Sequence, residues 1–151
     1  MNKFLNFFTA ILFISTAILI SCGGESTPDP VEDPIDTQGA KLAKTWNSVS
    51  SVTVDAVPST DWASFTATFT YTVGSGGGTY TTSGSTSDLV WPASGTWEFT
   101  GTGTSQVLRS DGVTMDVSVT GTSLILGFDI DNPNTGRVLT VGGRWAFAMG
   151  L

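Results

Sequence analysis

Cys22 is the single thiol among 151 residues, and no histidine is present to act as its base. A lone cysteine closes no internal disulfide, and a serine or cysteine nucleophile needs an activating neighbour such as an imidazole. Neither Gly-x-Ser-x-Gly nor Ser-x-x-Lys occurs. The acid/base candidates that remain are Glu98, Asp116 and Asp129, of the kind that could form a glycosidase-type carboxylate pair. Each falls on the parity opposite its apolar neighbours, which places it on a solvated outer face. Hard oxygens suited to calcium crowd around one turn, at Asp129, Asp131, Asn132 and Asn134, without the aspartate spacing or terminal glutamate of an EF-hand. Asn and Asp are also what a hairpin loop selects for its backbone. The expectation is a protein that is not an enzyme and that takes no metal and no cofactor.

The cysteine is better placed to be modified than to react. Lys3 gives the chain a positive start, Phe7 to Ile20 is apolar apart from Thr9, Ser15 and Thr16, and Ser21 is the small residue expected before a cut. Read alone, this segment is a cleaved signal or a short retained anchor, since about 17 to 25 apolar residues suffice to cross a bilayer. Leu19-Ile20-Ser21-Cys22 resembles the lipobox of bacterial lipoproteins. That resemblance implies a signal peptide over residues 1–21, a mature protein beginning at Cys22, and acyl chains such as palmitate on its sulfur. Two or three such chains, at about 0.8 kcal/mol per buried methylene, hold a domain durably on a membrane. The implied address is the outer membrane, on its periplasmic face or at the cell surface.

Gly23 to Gly39 carries Glu25, Asp29, Glu32, Asp33 and Asp36 against no Lys or Arg, with Pro28, Pro30 and Pro34 spaced through it. Such a stretch buries too little apolar surface to offset its ordering entropy, so an extended, self-repelling tether is expected over residues 22–39. Acidic residues shortly after the lipidated cysteine also resemble a surface-export signal of some Bacteroidetes lipoproteins. The domain that follows, 40–151, has five basic and eight acidic residues from Lys41 onward and no basic stripe. Nucleic acid is excluded as a partner on electrostatic grounds.

From Trp46 the pattern has period two. Phe65, Ala67, Phe69, Tyr71 and Val73 share one parity and Ser64, Thr66, Thr68, Thr70 and Thr72 the other, giving a strand with one apolar and one hydroxyl face. The alternation returns at Val113 to Val119, Leu124 to Ile130, Leu139-Val141 and Trp145 to Met149, with shorter runs at Val52-Val54, Tyr80-Thr82, Trp97-Phe99 and Val107-Arg109. Turn signals separate them, and only Ala40 to Thr45 could make a helical turn. The fold class is therefore all-β, with about eight antiparallel strands in up-and-down order. Closing into a barrel removes the sheet edges, whereas a sandwich needs crossovers that these short loops do not supply. A bend or bulge is expected where Gly142-Gly143 interrupts the last strand.

Trp46, the stretch Trp91-Pro92-Ala93-Ser94-Gly95-Thr96-Trp97-Glu98-Phe99, Arg109-Ser110-Asp111-Gly112, and Gly136-Arg137-Val138 through Trp145-Ala146-Phe147 together resemble the lipocalin-like lipoproteins of Bacteroidetes. The resemblance implies a lipocalin-like, calycin-like barrel. Barrels of this size can hold one small ligand or be filled by side chains. Two functions follow: a membrane-anchored barrel binding a small apolar or amphipathic ligand or a glycan at its mouth, or a structural or interaction module with a filled barrel. The ligand-binding candidates are Trp91, Tyr71 and Trp97. Strand parity makes most aromatic residues core, but Trp91 precedes a proline in a loop, where an indole either plugs a barrel mouth or meets a ligand. In an up-and-down meander, the turn near Val57 to Asp61 and the segment Ser87 to Ser94 share one end, with Gly74 to Gly78 opposite.

Overall fold

Alternation becomes strand along most of the chain. A computed structural model describes residues 32–131 and 141–151, in the order α1 (Pro34–Leu42), β1 (Thr45–Trp46), β2 (Ser48–Val54), β3 (Val57–Pro58), β4 (Thr66–Phe69), β5 (Gly77–Ser83), β6 (Ser94–Phe99), β7 (Gln106–Arg109), β8 (Thr114–Val119), β9 (Ser123–Ile130) and β10 (Gly143–Gly150). The signal segment, Cys22, Asn132, Asn134 and Gly136 to Leu139, and with Leu139 the start of the expected Leu139-Val141 run, lie outside the described residues. In β8 and β9 the pattern is clean: Met115, Val117, Val119, Leu124, Leu126, Phe128 and Ile130 are buried, while Thr114, Asp116, Ser118, Ser123, Ile125 and Asp129 are exposed.

All the strands among the described residues belong to one antiparallel sheet in the order β1-β4-β5-β6-β7-β8-β9-β10-β2-β3, which curls into a barrel-like wall. β1 and β2 are one run of chain broken only at Asn47. Trp46 of β1 pairs with Ala67 of β4, and Val52 of β2 pairs with Phe147 of β10. The run therefore holds the two margins of the sheet together, and counting it as one strand with β4 to β10 gives the expected eight. β3 is a short appendage turned back by Asp55 and Ala56, both at positive φ. Asp55 tolerates that conformation, and its carboxylate is used: Oδ1 accepts the Arg144 N–H at 2.9 Å.

Three boundaries differ from the pattern. The alternation from Phe65 to Val73 gives a ladder only over Thr66–Phe69, although the Thr70 and Thr72 amides still donate to the Thr79 and Gly77 carbonyls at 2.9 and 3.2 Å. Gly142-Gly143 stands at the entrance of β10, where Gly143 adopts φ 130°, and the register shift of that strand falls later, between Ala148 and Met149. The extended tether ends early, because Pro34–Leu42 is an α-helix.

That helix corrects the expectation of a disordered segment through Gly39 and a single turn after it. Its signals were in the sequence. Asp33 is an N-cap whose carboxylate accepts the Ile35 N–H at 2.8 Å, Pro34 begins the first turn, Asp36 sits at the positive end and Lys41 at the negative end. Ile35 and Leu42 face the core, and Gly39 lies so close to the Tyr71 ring that a Cβ there would be 2.4 Å from it. Only a glycine fits. The Asp36 carboxylate accepts the Tyr71 hydroxyl and, at 2.8 Å, the Gly74 N–H, while Trp46 Nε1 donates to the Leu42 carbonyl at 3.0 Å. Helix α1 thus caps one end of the barrel, and docking it draws Tyr71 out of strand geometry.

A chain starting at Ala40 is accordingly expected to melt about 5–10 °C below the full domain, by thermal circular dichroism. Equal melting points would mean that α1 contributes no packing. The latch also titrates. The Gly74 N–H first, and then the Tyr71 hydroxyl, hold the Asp36 carboxyl below its usual range, so its contribution is complete above the unfolded value of 3.8 and lost as the pH falls through the depressed one. Tyr71 is pushed up from 10.0 to about 12, by burial first and then by Asp36. A raised folded value means stability that is complete below the unfolded value and lost as the pH rises through the folded one. Tyr71→Phe should remove the fall in melting point between about pH 10 and 12; an unchanged profile would place that loss elsewhere.

Candidate functional site

The end opposite α1 is closed from inside. The loop after β5 folds over the barrel because hydroxyls staple it: Ser85 Oγ donates to the Ser87 and Trp91 carbonyls, both at 3.0 Å, and Thr82 Oγ1 donates to the Pro92 carbonyl at 2.9 Å. The Ser87 carbonyl accepts the Val90 and Trp91 amides at 3.1 and 2.9 Å, which turns the indole inward. Trp91 is 0% exposed. Its ring centre lies 5.4 Å from Phe65, 5.5 Å from Phe128, 5.9 Å from Tyr80 and 6.0 Å from Phe147, mostly edge to face. Beside it, the turn Asp61–Ser64 inserts Trp62 against Phe65, Trp145 and Phe147 at 5.1 to 5.4 Å.

A charge sits in this aromatic core. Arg109, at an inner position of β7, is 1% exposed, with its guanidinium carbon 4.7 Å from the Trp91 ring centre, 5.4 Å from Phe128 and 5.9 Å from Tyr80. Nη1 donates to the Val90 carbonyl at 2.8 Å, Nε donates to Asp111 Oδ1 at 3.1 Å, and Nη2 pairs with Asp111 Oδ2. The fork matches the carboxylate, and the carbonyl belongs to the residue before Trp91. Arg109 therefore ties the plugging loop to the β7–β8 turn. Two buried polar atoms nearby, Tyr80 Oη and Trp91 Nε1, have no hydrogen-bond partner. Burial is the main reason that the Tyr80 hydroxyl is pushed above its ordinary value.

The three aromatic residues expected at a ligand mouth do not form one. Trp91 does share an end with the Val57 to Asp61 segment, but it occupies the centre of the core, because a proline and a hydroxyl-stapled turn drive an uncharged indole into the space between the strands. Trp97 and Tyr71 lie at the α1 end, stacked at 6.0 Å, with Trp97 Nε1 donating to the Thr79 carbonyl at 3.1 Å and the Tyr71 hydroxyl donating to Asp36. Phe69 stands between the two groups, 6.2 Å from Trp97 and 6.4 Å from Trp91. Sequence reasoning missed Trp62 and the burial of Arg109. Asp61 was legible as a turn residue, and Arg109 two residues after Val107 lies on the inner parity, which was the available signal.

The carboxylates take the positions expected of them. Glu98, Asp116 and Asp129 are exposed on the outer face. Arg144 Nη1 donates to Asp129 Oδ2 at 2.8 Å, and Nη2 pairs with Asp116 Oδ2. Gln106 first, and then Arg144, hold the Asp116 carboxyl below its usual range. Among the described residues no group of three or more His, Cys, Asp or Glu is disposed to hold a metal ion.

The opposite flank of the wall is nearly uncharged. Thr45, Thr68, Thr81 and Ser94 form one cross-strand rank over β1, β4, β5 and β6. Thr70, Thr79, Thr96 and Ser110 form a second: Thr70 and Thr79 bond through their hydroxyls at 2.8 Å, Thr79 pairs with Thr96, and the Thr96 N–H donates to Ser110 Oγ at 3.2 Å. Along the second rank runs a surface groove of about 580 Å³ over Gly77 and Gly78, walled by Thr72, Ser75, Thr79, Thr96 and Ser110, with Glu98 and Leu108 also lining it. A second depression, of about 620 Å³, opens at the rim between Asp88, Leu89, Pro92, Asp111 and Asp131. No family model, no curated protein and no solved structure matches this chain.

Proposed function

We propose that this chain is a lipid-anchored, non-catalytic module of the cell envelope, a lipocalin-like barrel whose interior is filled and whose outer wall meets its partner. The observation that carries the reading is the pairing of Trp91 with Arg109 at the centre, which occupies the space a carrier would leave for cargo. The hydrophobic core is continuous from Trp62 at one end to Leu42 at the other. The anchor rests on Leu19-Ile20-Ser21-Cys22 and the apolar segment before it. The outer membrane, at its periplasmic face or on the surface, is the address that this signal supports.

Titration of the protein with N-phenyl-1-naphthylamine tests the filled barrel. No saturable rise in emission is expected, whereas one-to-one uptake would return the protein to the class of carriers of apolar ligands. The anchor is tested separately: Cys22→Ser should abolish incorporation of an alkyne-tagged palmitate analogue, and equal labelling of the variant would place the modification elsewhere.

A further inference from the structure

We infer that the groove over Gly77 and Gly78 on the outer wall is a binding site for a neutral glycan chain. This rests on the filled-barrel reading, which sends any ligand to the outside. The groove, about 580 Å³, lies within the range of small-ligand sites, roughly 300–1,000 Å³. Its floor is bare at Gly77, on the outward parity beside the exposed Glu98, where a Cβ would be 2.2 Å from the Trp97 carbonyl oxygen and none fits. The fold therefore keeps a trough where this outward position of β5 is bare.

The wall chemistry selects the ligand. A hydroxyl both donates and accepts, so Thr72, Thr79, Thr96 and Ser110 can answer sugar hydroxyls, directly or through a water, while Ser75 Oγ is held by the Thr72 and Gly77 carbonyls at 2.6 and 2.8 Å. Glu98 adds an acceptor-only carboxylate able to take two adjacent hydroxyls, and Leu108 offers a small apolar surface to ring C–H groups. An anionic chain finds no cation here, because the side chain of Arg109, the one basic residue of the lining, is buried in the core and engaged by Asp111. Behind the wall, Tyr80 Oη and Ser110 Oγ both lie 2.6 Å from the point that a Cβ on Gly95 would occupy, so a side chain there would displace Ser110 from the groove's lining.

The test is retention of the detergent-solubilised full chain on immobilised dextran, mannan, xylan and glucomannan, with polygalacturonate as the anionic comparison. Binding to at least one neutral polysaccharide is expected. Thr79→Val with Thr96→Val, which keeps strand-forming shape and removes two hydroxyls, should weaken it by about tenfold, the size expected from two neutral hydrogen bonds. Glu98→Gln is a single exposed change that should also weaken it, and Thr66→Val, on the same face outside the groove, should leave it unchanged. Retention on the anionic polymer alone, on none of them, or equally by all variants overturns the inference. Absence of glycan binding together with absence of naphthylamine uptake overturns the groove and leaves the filled barrel standing; uptake of the probe overturns the filled barrel itself.

Discussion

Trp91→Ala is expected to lower the free energy of unfolding by about 4 kcal/mol, within the range for removing a fully buried large aromatic side chain. Trp91 touches rings from β4, β5, β9 and β10, so its loss opens a void that no single neighbour can fill. A domain of this size has about 5–15 kcal/mol in hand, and the variant should be marginal at growth temperature. Trp91→Phe should cost much less, because it keeps most of the volume and deletes the unpartnered Nε1. Urea denaturation of both variants gives the comparison. If the alanine variant unfolds within about 1 kcal/mol of the parent, the indole is not the post of the core, and the argument for a filled interior fails with it.

The second large effect concerns the buried charge, and its sign is informative. Asp111→Ala leaves the Arg109 guanidinium without its counter-charge among three aromatic rings, which typically costs about 3–5 kcal/mol for a fully buried pair. Asp111 is 31% exposed, so water can reach the fork, and a loss of about 2 kcal/mol is the better expectation. Arg109→Met combined with Asp111→Ala should be less destabilising than Asp111→Ala alone, because nothing charged is then left behind. The double variant does lose the Val90 tie. Its plugging loop should exchange amide hydrogens faster even where global stability recovers. A double variant weaker than Asp111→Ala would show that the Val90 bond and the cation–π contacts outweigh the ion pair.

What the sequence made legible was what period two can express. Met115 through Ile130 could be assigned face by face, and the count of eight strands with consecutive pairing followed from the spacing of the turns. Side chains that reach the core from outside a strand were not legible in this way. Trp62 and Trp91 enter from loops, so their depth depends on carbonyls and hydroxyls several residues away, and alternation carries no information about that. Arg109 obeyed parity but broke the rule that charges face out, and its burial became reasonable only with Asp111 and Val90 in place. Helix α1 was misread for another reason. Prolines and acids describe a solvated tether on average, whereas Asp33-Pro34 with Asp36 and Lys41 is a capping signal at particular positions.

The run from Thr45 to Val54 pairs at its start with β4 and along most of its length with β10, strands from opposite ends of the domain. Closing that seam joins residues separated by almost the whole fold, so its loop-closure entropy is met only after the last strand has been made and delivered. Until then β9 and β2 both present unsatisfied backbone edges, the form of intermediate most prone to pair with another chain. As the chain is made, the vulnerable interval lasts until Gly143–Gly150 arrives, and a lesion in those eight residues would leave two open edges where the complete fold has a seam.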